Sequence, residues 1–349
     1  MKVFSNPADF FERFGLVVLG VLIFLFFTLD PNTSQFASSA NLKNILSNES
    51  LLGIIVVATV IPLVAGHIDL SVGPASALSS VLCAGMMGKA GWPLVPAMLV
   101  GIGAGVAVGV VNGVLIARVG INSIITTLGT SSIIGALILW YTAGESIVTG
   151  LSPKLTDIGS GQWLGLPKPC WFLIVIAAIV WYVLEHLPIG RYLYSVGSNP
   201  RAAELVGLRV HRMTQLSFLA SGALAGIGGL LLVAIQGGGN PQLGPNYTLP
   251  ALAAVFLGAT AIKPGRYNVL GAIVAILLLA IAVNGLTLLG ADPWVNDMFN
   301  GLALLVGVGV SVYSGRRRQS QPGQPIAGSS DGVATSDDEA MDAQAKAVS

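Results

Sequence analysis

The sequence predicts an all-α polytopic membrane protein of about ten transmembrane helices, some short or broken, with the trace of an inverted five-helix repeat. Three observations predict it. Hydrophobic residues make up 54% of the 349-residue chain and charged residues 9%, against about 25% charged in soluble domains. Apolar runs recur along the chain, several of them near the ~20 residues that cross a hydrocarbon core. With the amino terminus placed inside, only Lys43, Lys89, Lys154 and Lys168 of the 17 Lys and Arg fall outside, the bias that the positive-inside rule demands. A net charge of +1 excludes nucleic acid as a partner.

Taken in order, a short polar lead (1–13) carries Lys2 and Arg13, and the run 14–29 is the first span. A secretory signal would begin the same way, but the small residues Ser38, Ser39 and Ala40 lie well past the run, so an uncleaved span is expected. A polar stretch follows to Ser50. Further spans are expected at 51–66, 70–88, 94–117, 121–141, 170–187, 213–236, 249–262, 268–289 and 295–313. The pair meeting at 66–73 and the short run 249–262 are expected to be broken or partly re-entrant, which is tolerated only where protein or a water-filled cavity covers the backbone. The outer segments 142–169 and 237–248 are rich in Gly, Pro and Ser, as solvent-facing loops are. The membrane domain is therefore 14–313, and the aperiodic Ser-, Gly-, Pro- and Asp-rich tail within 314–349 is expected to be cytoplasmic and disordered.

Glycine is abundant, at 44 residues. Gly101, Gly105, Gly109 and Gly113 recur every fourth residue, and Gly222 and Gly226 do the same, with Gly229 nearby. Small residues at this spacing let membrane helices approach closely. Val111-Asn112-Gly113 matches Val283-Asn284-Gly285 five spans further on, so two copies would run in opposite directions. Cys83 and Cys170 have no metal spacing and read as packing residues.

Candidate functional residues fall in two groups. Within the spans, Gly66-His67-Ile68-Asp69-Leu70-Ser71-Val72-Gly73 places ionisable and hydroxyl groups between apolar runs, where they are expensive. Asp69 can cap the following helix through the N–H of Ser71 or Val72, or can serve a substrate path or gate. Asn112, Asn122, Ser123, Thr126, Thr127, Gln236 and Asn284 carry no charge. Interhelical hydrogen bonding accounts for each singly; together they suit a neutral polar solute better than an ion. The path or gate set is Asp69, Ser71, Asn112, Asn122, Thr126 and Asn284.

Between two apolar spans, residues 188–212 form the longest polar, basic insert, with Arg191, Arg201, Arg209, His211 and Arg212 against the single acid Glu204. A short helix is predicted inside it: Asn199 as N-cap, Pro200 at the first helical position and Gly207 closing the end. Ala202, Leu205 and Val206 share one side, while Arg201 and Glu204 sit three apart. Such a helix outside the membrane has something to press against; a solvated cytoplasmic loop is the alternative. No phosphate-binding G-x-x-x-x-G-K-[ST] loop, HExxH, CxxC or nucleophile elbow is present. The chain is not an enzyme by this reading, and the energy for transport comes from a partner or an ion gradient.

The segments GHIDLSVGP (66–74), VNGVLIARVGINSIITTLGT (111–130), GRYLYSVGSNPRAAELVGLRV (190–210) and 241–271 resemble the ribose- and xylose-type sugar permeases of ABC importers. The resemblance spans essentially the whole membrane domain, and the motifs stand in the family's order. Related branched-chain amino-acid permeases share the broad fold but are not expected to carry IDLSVG. The chain departs at Gly66-His67, where the family commonly has Gly-Gly, and at Ile262-Lys263-Pro264-Gly265-Arg266, where the family is richer in Gly and Ser.

That resemblance implies a multi-pass protein of the bacterial inner membrane that moves a monosaccharide or small polyol. A second permease subunit, identical or paralogous, would complete the path. A pair of ATP-binding subunits would dock on Asn199, Pro200, Arg201, Ala202, Glu204, Leu205 and Gly207. A periplasmic sugar-binding protein would deliver solute. No cofactor would be bound by this chain, since ATP and Mg belong to the partner subunit. The alternative from another class is a stand-alone proton-coupled transporter using Asp69 and His67.

Overall fold

A computed structural model describes residues 7–319 of the chain, with side chains from 13 to 309. The first part of the expected polar lead and the tail beyond Gln319 lie outside the described residues. In lipid every backbone polar group must be satisfied within its own segment, and long runs of Leu, Val, Ile, Ala and Gly answer with helices.

Helix α1 (Pro7–Leu29) is followed by a 3-10 turn at Pro31–Thr33. Asp30 starts that turn by accepting the Asn32 N–H at 2.9 Å. Helix α2 (Ser39–Val64) is capped by Ser38. It begins well before the expected span at 51, so the stretch read as polar linker up to Ser50 is helical. The reason is sidedness: Asn41, Asn44, Asn48 and Glu49 follow i, i+3, i+7, i+8 spacing along one face, which lowers local hydropathy without breaking the helix.

Residues 65–71 then run without helix, and α3 (Val72–Gly88) resumes. Next come α4 (Leu94–Val114) with a π-helical end at Leu115–Val119, and α5 (Ser123–Thr142). The segment expected as plain loop folds into α6 (Pro153–Ser160) and a two-stranded hairpin, β1 (Gln162–Trp163) with β2 (Leu166–Pro167). Helix α7 (Lys168–His186) leads to two short helices, α8 (Pro188–Ser198) and α9 (Pro200–Leu205). The chain finishes with α10 (Val210–Gln236), α11 (Pro245–Gly258), α12 (Val269–Leu288) and α13 (Trp294–Gln319).

Among the described residues, 6 helices are long and apolar enough to cross a membrane: α2, α4 with its π-helical end, α5, α7, α10 and α12. Arg13–Leu29 and Val72–Gly88 are shorter apolar helices.

Contacts sort the connections to two ends of the bundle. Lys89 donates to the Tyr141 carbonyl at 2.8 Å and Lys43 to Gln162 at 2.9 Å, marking one end. At the opposite end the Ile262 N–H donates to the Arg13 carbonyl at 2.9 Å. There too the Tyr194 hydroxyl donates to the Tyr267 carbonyl at 2.7 Å.

Helix α10 is the centre, packed on α4, α3 and α2. The two glycine stripes meet each other there. A Cβ on Gly105 would sit 2.7 Å from the Gly226 Cα, and one on Gly222 would sit 2.8 Å from the Gly109 Cα. Backbone lies against backbone, so dispersion contacts form that lipid would not replace. Cys83 and Cys170 are both buried and free.

Two long helices are each followed by an irregular stretch and a shorter helix: α2, 65–71 and α3; then α10, 237–244 and α11. The starts of the two shorter helices touch. A Cβ on Gly73 would run into the Gly244 carbonyl and the Thr248 hydroxyl. The loop after α10 therefore does not stay at the Lys89 end but descends along α3, where a Cβ on Gly239 would sit 3.0 Å from the Val81 Cα.

Candidate functional site

In the irregular segment 65–71, Ala65, Asp69 and Ser71 are buried, and helices around it supply hydrogen-bond partners. Asp69 Oδ1 accepts the Ser71 N–H at 2.9 Å and the Ser71 hydroxyl at 2.6 Å. Asp69 Oδ2 accepts the Ser221 hydroxyl of α10 at 2.9 Å. Asn112 of α4 donates to Ser71 Oγ at 2.8 Å, leaving Asn112 Oδ1 without a partner. Ser131 of α5 donates to the Leu70 carbonyl at 3.0 Å, and His67 Nε2 lies 3.1 Å from the Thr214 hydroxyl. Asp69, Ser71, Asn112 and Ser221 are all buried. A carboxylate so held acts as a clasp on unwound backbone: it supplies the acceptors that a helix would have supplied.

Asn122 and Thr126 make no hydrogen bond to this network, although Ser123 beside them accepts the Ile68 N–H at 3.4 Å. Asn122 caps α5, accepting the Ile124 N–H at 2.9 Å, and Thr126 donates back to the Asn122 carbonyl at 3.0 Å.

The 188–212 insert sits at the Arg13 end. Asn199 caps α9 by accepting the Ala202 N–H at 3.1 Å, Pro200 opens the helix, and Gly207 leaves it at φ +83°. That left-handed turn favours glycine. The Leu208 N–H reaches back to the Ala203 carbonyl at 3.0 Å. Ala203 is buried on one side, while Leu205 and Val206 are 89% and 76% exposed on the other. Arg201 and Glu204 form no ion pair with each other; the ion pairs among the described residues are Lys168–Asp157 and Lys263–Glu185. Glu204 instead borders a basic hollow with Arg118, Arg209, His211 and Arg212.

Helix α8 ties this insert to the rest of the bundle. Gly197 lies directly on Gly66, which turns the chain at φ +84°. Arg266 stacks over the Tyr194 ring at 3.5 Å. Burial pushes the Tyr194 phenol up to about 12, so it stays a neutral donor to the Tyr267 carbonyl.

Toward the Lys89 end, a cleft of about 540 Å³ opens between α2, α11, α12 and α13. Its polar lining is Asn44, Asn48 and Glu49 from α2, Gln236 from α10, and Asn246 and Tyr247 from α11. Asn284 and Thr287 of α12 and Asn296 and Asn300 of α13 complete it. Asn284 exchanges hydrogen bonds with Asn41, at 2.8 and 3.2 Å.

Residues 41–308 match the family described as "branched-chain amino acid transport system / permease component". The chain belongs to this family. The permease is 32% identical over 310 residues to a ribose import permease protein of Haemophilus influenzae, covering 88% of this chain and 95% of that one. It is 33% identical over 309 residues to the ribose import permease protein of Escherichia coli K12, covering 87% and 95%. An L-arabinose ABC transporter permease protein of Azospirillum brasilense is 30% identical over 309 residues, covering 88% and 90%. No solved structure matches it. The family and the apolar helices together make the permease a multi-pass protein of the bacterial inner membrane.

Of the permease's sequence-derived path residues, Asp69, Ser71 and Asn112 come together, Asn122 and Thr126 form a separate helix start, and Asn284 lies in the cleft. Asn44, Asn48, Glu49, Asn246, Asn296 and Asn300 escaped sequence reading. A signal existed in the pairs Asn44/Asn48 and Asn296/Asn300, each one helical turn apart. It was hidden because the first pair falls in a stretch read as linker and the second close to a span end.

Proposed function

We propose that the chain is the transmembrane subunit of an ATP-binding cassette importer for a monosaccharide or small polyol, driven through 188–212 by a separate ATPase. The observation that carries the coupling is α9 itself. A capped helix of one and a half turns leaves Leu205 and Val206 largely exposed among the described residues. Exposed apolar side chains beside arginines are the makings of a docking knob. The relatives' names, a ribose import permease and an L-arabinose ABC transporter permease, supply the solute class, and the uncharged amides of the cleft suit it.

In this reading α9 faces the cytoplasm with both termini, as the distribution of Arg and Lys favours. ATP and Mg act at the partner, a periplasmic binding protein delivers solute, and a second permease subunit completes the assembly. This reading counts about ten crossings, adding α1, α3, α11 and α13 to the six long apolar helices, with α3 and α11 short. The order α2–α3–α4 and α10–α11–α12, with Val-Asn-Gly in α4 and α12, supports an inverted repeat whose half-helices meet at mid-depth. Asp69 has both oxygens engaged by protein donors, which favours a structural clasp over a proton carrier.

The test is Leu205→Asp with Val206→Asp, alongside the swap Arg201→Glu with Glu204→Arg, in cells producing the complete transporter. Pentose uptake and copurification of the ATP-binding subunit should both fall at least tenfold, with normal membrane insertion. Uptake that survives, resists orthovanadate and collapses with a protonophore would overturn the importer reading.

A further inference from the structure

The cleft at the Lys89 end holds a carboxylate that nothing described so far uses. Glu49 lines it from α2 and, among the described residues, has no hydrogen bond or ion pair. An ionisable group within a membrane helix is expensive and persists where it meets a pathway or a ligand. Neither Lys nor Arg lines the cleft, so an anionic solute finds no counter-charge. Its size falls within the range of about 300–1,000 Å³ usual for small-molecule sites.

We propose that this cleft is a solute subsite within a single subunit, taking a small neutral solute with adjacent hydroxyls, and that Glu49 accepts hydrogen bonds from two of them. The proposal rests on the reading of the chain as a permease for a hydroxylated solute. Carboxamides supply both donors and acceptors, and those here are arranged in advance. Asn284 is oriented by its reciprocal pair with Asn41, and Asn300 donates to Asn296 at 3.0 Å. Fixed amides lose little freedom when a solute arrives, which is how a weak site still selects. The Tyr247 phenol and the Gln236 amide line the same cleft. A lipid tail would leave without partners the carboxylate and amides that make up about half of this lining, and a bare cation would find one carboxylate where several charged oxygens are usual.

The experiment uses the complete transporter in proteoliposomes, with radiolabelled D-ribose and L-arabinose as probes. Glu49→Gln and Asn284→Ala should each lower flux at saturating sugar about tenfold, while insertion and the copurified ATP-binding subunit stay normal. In parallel, Asn48→Cys is labelled from outside by a membrane-impermeant maleimide; the native Cys83 and Cys170 are buried. Either sugar should slow that labelling several-fold, with or without ATP. Labelling indifferent to both sugars, or flux unchanged in both variants, overturns the subsite. Wild-type flux that resists vanadate would overturn the importer reading alone, since protection of Asn48→Cys does not depend on the energy source. Loss of flux in Glu49→Gln together with collapse of wild-type flux by a protonophore would make Glu49 a proton carrier and overturn the proposal.

Discussion

Gly197 of α8 rests on Gly66 at the point where α2 gives way to unwound chain. A Cβ on Gly66 would lie 3.2 Å from the Gly197 Cα. The insert that carries α9 thus touches, backbone to backbone, the segment clasped by Asp69. A side chain at either position would have to push the two apart. Gly197→Ala would bring a methyl within 2.9 Å of the Gly66 nitrogen and 3.0 Å of the Ala65 carbonyl carbon. We expect the variant to insert and to retain its ATP-binding subunit, with solute uptake lowered at least fivefold. Uptake measured against ATPase activity of the purified complex checks this: uncoupled hydrolysis is the expected signature.

The glycine stripes of α4 and α10 permit a similarly close approach. Gly105→Val must separate two helices whose backbones already touch, and overpacking of this kind costs about 1–3 kcal/mol or more. Thermal unfolding of detergent-purified protein should show a lowered midpoint. Gly103→Val, with open space around it, should leave the midpoint nearly unchanged.

Asp69 can be tested by how it is replaced. Asp69→Ala strips the acceptors from the Ser71 N–H and from the Ser71 and Ser221 hydroxyls, each left unsatisfied at about 1–3 kcal/mol. Asp69→Asn keeps one oxygen for Ser71 and can donate to Ser221. The expected result is loss of folded protein for Ala, and near-normal yield and uptake for Asn. Full yield of Asp69→Asn without uptake would instead point to proton chemistry at this residue.

Removing the α9 cap should act on docking alone. Asn199→Ala gives up the bond to the Ala202 N–H, worth about 0.5–2 kcal/mol to a short helix. Membrane yield should be unchanged, and affinity for the ATP-binding subunit should fall several-fold. Asn199→Asp, which caps equally well, should restore it; pull-down at graded detergent-solubilised subunit concentrations reads both.

Much of the fold was legible because lipid leaves a chain few choices. A run of apolar residues must satisfy its backbone internally, so hydropathy located the helices, and Gly105 and Gly222 announced close packing through spacing alone. The α9 cap was equally legible, since Asn199, Pro200 and Gly207 act on their immediate neighbours. Polar residues were harder. Asn41 to Glu49 lower hydropathy enough to resemble a linker, and only three-dimensional packing reveals that they share a face on one continuous helix.

By itself, then, the sequence determined the helical membrane class, the charge bias, the glycine contacts and the capped helix α9, all of which follow from local chemistry and period. Only the tertiary structure decided which polar groups meet. Asp69 and Ser221 stand 152 positions apart, and Asn41 and Asn284 stand 243 apart. Hydrogen bonds across such separations depend on where whole helices cross. No local pattern encodes that, and it is why Asp69 emerged as a clasp while the cleft around Glu49 came to light only once the helices were assembled.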